Sequence, residues 1–156
     1  MDETDYDYPA MIAEATAALL KLEGHVLWQF LVQIVAPEFN VAYLLLDNAT
    51  YAIQGRIGGE VLEIVLVDSA PLINADNNTA VKEFAPFSLF LGRRIIGART
   101  IGGAWNGHGF EFSFEGLWDK TMIIQSIYTG AAPPGFEDCL RLGIGEYIFE
   151  DSLGSL

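Results

Sequence analysis

The chain has 156 residues, of which 51% are apolar and 19% are charged, and its formal net charge is −13 at pH 7. That length fits a single domain, residues 1–156, with a core of its own, and the composition excludes a disordered chain. The strong negative charge repels phosphate groups, which argues against direct binding of nucleic acid.

The N-terminus and the cysteine content predict a cytoplasmic protein. The chain opens with the acidic residues MDETDYDY, whereas a secretory signal begins with a basic segment and an apolar run. No apolar stretch has the length and composition of a membrane-spanning helix, so no membrane association is expected. The single cysteine, Cys139, cannot form an internal disulfide, which fits a reducing compartment.

The negative charge is concentrated near the two ends of the chain. Residues 1–14 hold five acids and no base, and residues 137–151 hold five acids against one arginine. These acids speed the encounter with a basic partner, although acidic surfaces also simply keep an apolar-rich chain soluble. With two tyrosines as aromatic anchors, the candidate partner-binding residues are Asp2, Glu3, Asp5, Tyr6, Asp7, Tyr8, Glu137, Asp138, Glu146, Glu150 and Asp151.

Residues 8–23 are predicted to form a helix, after an acidic tail at residues 1–7. Asp7 suits the N-cap of this helix, Pro9 suits its first turn, and Gly24 suits its exit. The apolar positions that share one helical stripe are Ile12, Ala15, Leu19 and Leu22.

Residues 25–150 are predicted to form a β-rich body, because apolar residues there recur with period 2. The first segment, residues 25–35, also fits a helical stripe, so strand and helix both remain open. If it is a strand, the residues on its apolar face are Val26, Trp28, Phe30, Val32 and Ile34.

Turn chemistry divides the remaining chain into hairpins. One is predicted around the turn at residues 47–49, and a second across Asn106-Gly107, a dipeptide typical of tight hairpin turns. Further strands are expected near residues 59–68, 120–128 and 146–150, a polar loop at 74–78, and a short helix interrupted at Pro86. The expected fold class is α+β, with the N-terminal helix packed on a mainly antiparallel β-meander sheet.

The two histidines and the arginines are the main candidates for chemistry. His108 follows the predicted turn and is expected to be a solvent-exposed turn residue, and His25 follows the helix, where a histidine complements the helix dipole. Neither has the local signature of a catalytic triad. Arg93, Arg94 and Arg99 form the one basic cluster, which either binds an anion or balances the acids of the same domain.

No motif for a cofactor or a metal is found. The glycine-rich segment 97–109 lacks both the phosphate-loop and the dinucleotide-binding patterns. The acidic loop at 74–78 lacks the calcium-loop pattern, and the cysteine and histidine spacing does not fit zinc. We therefore expect no cofactor and no bound metal.

The chain carries no motif of a known family, but its size and acidity resemble those of small proteins that neutralise basic bacterial toxins. The first hypothesis is a non-enzymatic immunity or inhibitor protein that covers the active site of a basic partner. The second is a small hydrolase-like enzyme that uses His108 with a carboxylate or Cys139. The third is a self-associating structural domain, for instance a homodimer, that uses the apolar content of the chain.

Overall fold

The structure of the protein is a computed structural model, which describes residues 7–35, 38–56, 60–76, 79–104, 106–127 and 140–149. Within those residues it contains one α-helix, α1 (Tyr8–Leu20), a 3-10 helix (Ala85–Phe90) and eleven strands. The strands are β1 (Val26–Val35), β2 (Glu38–Leu46), β3 (Thr50–Arg56), β4 (Val61–Val67), β5 (Asn74–Asp76), β6 (Thr79–Glu83), β7 (Arg93–Gly103), β8 (Asn106–Phe114), β9 (Thr121–Ser126), β10 (Leu140–Ile144) and β11 (Tyr147–Phe149). An N-terminal helix with a mostly antiparallel sheet is thus confirmed, and residues 26–35 are a strand.

Helix α1 begins as predicted and ends three residues earlier. The Asp7 carboxylate accepts a hydrogen bond from the backbone N–H of Ala10 at 3.1 Å, which caps the helix. After Leu20 the chain continues as a hydrogen-bonded turn to Gly24, whose φ of 88° favours glycine. No helix in the described part of the chain is both long and apolar enough to cross a membrane.

Six strands close into a barrel, in the order β1, β2, β10, β9, β8, β7 and back to β1. The closure on one side joins β2 to β10 through Phe39 and Leu140, and on the other side it joins β1 to β7 through Leu27 and Arg93. Closure removes the free edges that an open sheet would expose. Sequence periodicity predicted five of these six strands, but not β10 and not the barrel, because it reports which face of a strand is apolar and not which strands pair.

Further strands extend the sheet on both sides of the β1–β2 hairpin. β3 and β4 add to β2, and β6 and β5 add to β1. The segment expected to be a polar loop at 74–78 is therefore part of a hairpin, with strand residues on both sides of positions 77 and 78. Residues 68–73 carry the chain from β4 on one flank to β5 on the other.

A β-bulge corrects the predicted core face of β1. Leu27 pairs with Leu46 and Gln29 pairs with Leu45, so Trp28 is an extra residue without a partner on β2. The bulge reverses the alternation at this point. Leu27 is therefore fully buried and Trp28 is 61% exposed, whereas the predicted inward positions Phe30, Val32 and Ile34 are buried.

The outer face of the extended sheet also carries apolar side chains. The aligned residues Leu31, Tyr43, Ala52 and Val65 form a row across β1, β2, β3 and β4. Leu31 and Ala52 are only 2% and 3% exposed, although neither belongs to the main core cluster. Much of the high apolar content is thus buried within a single chain.

The core contains a cluster of phenylalanine rings among its aliphatic side chains. The 3-10 helix contributes Phe87 and Phe90. Pro86 lies in the first turn of this helix and does not interrupt it, which corrects the predicted break. Phe87 contacts Phe30 with ring centroids 4.9 Å apart, and Phe90 stacks on Phe114 at 4.8 Å. Edge-to-face and offset contacts of this kind add to the free energy of burial.

The approach of β8 to β9 depends on Gly109. A Cβ atom at this position would lie 2.3 Å from the carbonyl oxygen of Ile124 and 2.5 Å from the Cα atom of Gln125. Both are backbone atoms, so no side-chain rotation would relieve the clash. By contrast, a Cβ atom on Gly97 in β7 would meet only the side chain of Ser113, at 3.8 Å.

We expect Gly109→Ala to destabilise the protein by about 3 kcal/mol, because the added methyl group forces β8 away from β9. The matched variant Gly97→Ala should be neutral or slightly stabilising, since an alanine restricts the unfolded chain more than a glycine does. Urea unfolding of both variants measures the difference. Equal stability of the two variants would show that the two strands do not approach this closely.

Candidate functional site

His108 is a core residue and not the exposed turn residue that we predicted. The turn lies between Gly103 and Asn106, so Asn106 and Gly107 already belong to β8 and both oppose Gly103. The His108 side chain is 0% exposed and lies on the inner face of the strand with Phe110, Phe112 and Phe114. Positions 108, 110, 112 and 114 alternate along the strand and therefore share one face. This alternation was the sequence signal that indicates a buried His108.

The His108 ring links β8 to the edge of β4. Its Nδ1 atom accepts a hydrogen bond from the backbone N–H of Leu62 at 2.8 Å, and the ring meets Phe110 edge-on. An accepting Nδ1 carries no proton, so the ring is neutral with its proton on Nε2. Burial lowers the pKa of His108 to about 4. Within the described residues, Nε2 has no hydrogen-bond partner.

This geometry gives little support to a catalytic His108. A general base needs access to substrate, and the hydrogen bonds described for His108 include no carboxylate. The other histidine, His25, does contact a carboxylate. Its Nδ1 atom lies 2.9 Å from the carboxylate of Asp47, near the surface. No hydroxyl group in the described part of the chain bonds to the other nitrogen of His25, and Cys139 lies outside that part.

The predicted basic cluster is used mainly for contacts within the chain. Arg93 donates to the carbonyl oxygens of Leu89 and Glu115, and Arg94 donates to that of Gly24. These bonds hold the ends of two helical segments and the loop after β8. Both side chains therefore make contacts within the chain, while Arg94 stays exposed.

Arg99, the third member of the cluster, forms an ion pair with Glu111 at 2.5 Å. Burial alone raises the pKa of Glu111, but hydrogen bonds from Thr121 and Arg99, together with the charge of Arg99, bring it below its usual value. The pair therefore stays charged at neutral pH. It joins neighbouring strands of the barrel.

Three of the predicted partner-binding residues lie within the described structure. Asp7 caps helix α1, and the Tyr8 hydroxyl donates to the carboxylate of Glu60 at the start of β4. Glu146 is exposed in the turn between β10 and β11. The others, Asp2, Glu3, Asp5, Tyr6, Glu137, Asp138, Glu150 and Asp151, lie outside the described residues.

A second surface feature near Glu146 was missed from the sequence. Trp118, in the loop between β8 and β9, is 91% exposed. Two backbone hydrogen bonds hold this loop. The N–H of Glu115 donates to the carbonyl oxygen of Arg94, and the N–H of Leu117 donates to the carbonyl oxygen of Phe114. Leu117 also packs against the core. A fixed loop thus presents an indole ring almost entirely to solvent, at considerable cost in exposed apolar area.

An open groove of about 580 Å³ lies beside this tryptophan along the chain. It is lined by Asp119, Lys120, Ile144, Gly145 and Glu146. One wall of the groove is the segment Asp119–Lys120 and the other is the turn at Gly145. The two walls are joined, because the N–H of Gly145 donates to the carbonyl oxygen of Thr121, the residue after Lys120, at 2.9 Å. We call these five lining residues the Trp118 groove, after the residue that precedes Asp119 in the chain; Trp118 itself is not among the residues that line it.

The Trp118 groove has the chemistry of a site for a cation. Asp119 and Glu146 provide two exposed carboxylates, and Lys120 lies 3.7 Å from Asp119 in a solvated pair. Such pairs contribute little free energy, so an incoming cation would displace Lys120 easily. No group of three or more acidic, histidine or cysteine residues arranged for a metal ion is found in the described part of the chain.

The pH dependence of stability tests the buried state of His108. Its pKa is about 6.5 in an unfolded chain and about 4 in the native protein, so the unfolded chain binds more protons between these values. The contribution of the neutral His108 ring to the free energy of unfolding is complete above pH 6.5. It is lost as the pH falls towards 4, by about 3 kcal/mol in total. We expect His108→Gln, measured by urea unfolding from neutral to acidic pH, to lack this part of the loss. An equal loss in both proteins would contradict a buried neutral ring.

Comparison with known proteins supplies no relative for the chain. It matches no family model, no curated protein and no solved structure. The Trp118 groove, with the exposed Trp118 next to it in the chain, is the candidate binding surface in the described structure.

Proposed function

We propose that the protein is a non-enzymatic binding protein for a basic protein partner, of the kind that an immunity or inhibitor protein would be. The observation that carries this proposal is the loop after β8, which exposes Trp118 directly before Asp119, one of the two carboxylates that line the Trp118 groove. Tryptophan is enriched among the residues that dominate binding energy at protein interfaces. Neighbouring acids select a partner of positive charge.

The charge distribution supports the same proposal. Five of the eight lysines and arginines, Arg56, Arg93, Arg94, Arg99 and Lys120, have described contacts within the chain. The 21 acids far outnumber them, so the net charge of −13 is expressed mainly at the surface. A field of this sign accelerates association with a basic protein and repels nucleic acid.

Homodimerisation stays an alternative proposal with weaker support. It was suggested by the apolar content of the chain, and the buried Leu31 and Ala52 show that part of this content is used inside one molecule. Two copies of charge −13 also repel each other. A hydrolase that uses His108 has less support, because that ring is fully buried.

Association kinetics test the proposed function. A partner would be captured with the immobilised protein, purified and identified, and its association rate measured between low and high salt. We expect the rate to fall steeply with salt, because the Debye length shrinks from about 10 Å at 0.1 M to about 3 Å at 1 M. Asp119→Asn/Glu146→Gln should slow association further, as should Asp5→Asn/Asp7→Asn and Glu150→Gln/Asp151→Asn. Asparagine caps a helix as well as aspartate does, so the change at Asp7 removes charge and leaves helix α1 intact.

The matched control is Asp68→Asn/Glu83→Gln, which removes two exposed charges, one from the bend after β4 and one from β6. This variant should associate faster than Asp119→Asn/Glu146→Gln. An association rate that does not depend on salt and is the same in all variants would contradict the proposal, since the acids would then serve solubility alone.

A further inference from the structure

We infer that His108 is an acid-sensitive switch, which holds the tip of the β3–β4 hairpin closed against the barrel and releases it when the ring is protonated. We call the paired ends of these two strands, residues 55–56 and 61–62, the hairpin tip. Three observations support the switch, namely the position of the tip, the hydrogen bond that joins it to β8, and the burial of the ring. The switch does not depend on which partner the protein binds.

The hairpin tip extends beyond the part of β2 that pairs with β3. This pairing ends at Gln54, which lies opposite Val41, and β2 then pairs with β10 through Phe39. Within the described structure, the two strands of the tip pair only with each other. The position of the tip therefore depends on contacts other than the β2–β3 pairing.

The buried contacts of the tip come from β4. The backbone N–H of Leu62 donates to Nδ1 of His108 at 2.8 Å, and the side chains of Val61 and Leu62 are buried, which keeps the tip closed at neutral pH. The tip also contacts helix α1, where Arg56 donates to Glu14 at 3.1 Å. That pair is solvated, since the Glu14 side chain is 70% exposed, and solvated ion pairs contribute little free energy.

Protonation of the His108 ring removes its hydrogen bond to the tip. A protonated imidazole carries a proton on both nitrogens, so Nδ1 becomes a donor that faces the N–H donor of Leu62. Nε2 has no hydrogen-bond partner among the described residues, so the charged ring gains no acceptor there. The ring is also fully buried, and a buried charge without a partner is costly. The charged ring therefore favours an open tip, in which water solvates it.

The charged side chains around His108 are engaged elsewhere. His108 bonds to β4, its own strand pairs with β7 and β9, and β9 carries no titratable side chain. The described charged side chains on β4, β7, β8, helix α1 and the turn before β4 each contact another group, namely Glu14 with Arg56, Glu60 with Tyr8, Glu63 with Gln54, Arg93 and Arg94 with backbone carbonyls, and Arg99 with Glu111.

The direction of the pH response follows from the two states of the ring. Burial lowers the pKa of His108 to about 4 in the closed state. In an open, solvated state its ordinary pKa of about 6.5 applies. The open state therefore binds more protons between these values, so opening is favoured as the pH falls.

Native-state hydrogen exchange of the full-length protein tests the switch, with the Leu62 N–H reporting on the tip and the Ile124 N–H on the barrel. Each exchange rate is divided by that of an unfolded chain at the same pH. From pH 7 to pH 4.5 we expect the opening constant at Leu62 to rise roughly 50-fold, as the two pKa values require. Low concentrations of urea should hardly change it, because opening the tip exposes little surface. Ile124 should exchange more slowly and with a steep urea dependence, since its exchange requires global unfolding.

Two substitutions assign the response to one histidine. In His108→Gln the side-chain carbonyl oxygen still accepts a hydrogen bond but does not titrate, so the acid-dependent rise at Leu62 should disappear. The matched variant His25→Gln removes the other histidine of the chain and should retain the rise. A rise that persists in His108→Gln would overturn the inference, as would exchange at Leu62 with the same urea dependence as at Ile124.

A measurement on the wild-type protein keeps the test decisive if His108→Gln fails to fold. The NMR signals of the carbon-bound ring protons of His108 report its protonation. Their pH midpoint should coincide with that of the change in the Leu62 amide signal. If the Leu62 signal changes while the ring stays neutral, His108 is not the switch.

Discussion

The closure of the barrel depends on how β8 meets its neighbours. Gly109 lets β8 approach β9 to a distance that no other residue would allow, and the adjacent His108 uses its ring to accept the free N–H of Leu62 at the edge of β4. An unpaired backbone N–H at this buried position would cost free energy. One dipeptide therefore joins the barrel to the flanking strands that extend from β2.

Local features of the fold were readable from the sequence because they depend on neighbouring residues. The cap at Asp7, the exit at Gly24 and the hairpin around residues 47–49 each follow from the chemistry of a few adjacent side chains. The features that sequence reasoning missed depend on distant partners. The bulge at Trp28 exists only in relation to β2, and the strand β10 pairs with residues far away in the chain.

The candidate site shows the same division. Glu146 was among the predicted partner-binding residues, since charge can be counted from sequence, but Trp118 was not. An isolated tryptophan in a loop gives no sign of whether it packs inside or faces solvent. Conversely, His108 was predicted to be exposed because it follows a dipeptide typical of turns. Its alternation with Phe110 along the strand instead indicates the buried position that the structure shows. Fixed alternation is a better guide than a dipeptide preference where the two conflict.

The long-range closure has a consequence for how the chain is made. The partner of Phe39 on β10 is Leu140, about a hundred positions later, so the edge of β2 is synthesised long before the strand that covers it. Pairings of this kind fold slowly, because a large loop must close before any contact offsets its entropy. While the ribosome is still completing the C-terminal part, β2 can already pair with β1 and β3, but its end at Phe39 still lacks the partner that closes the barrel. The high negative charge of the chain, already present in the first fourteen residues, then keeps unfinished chains apart.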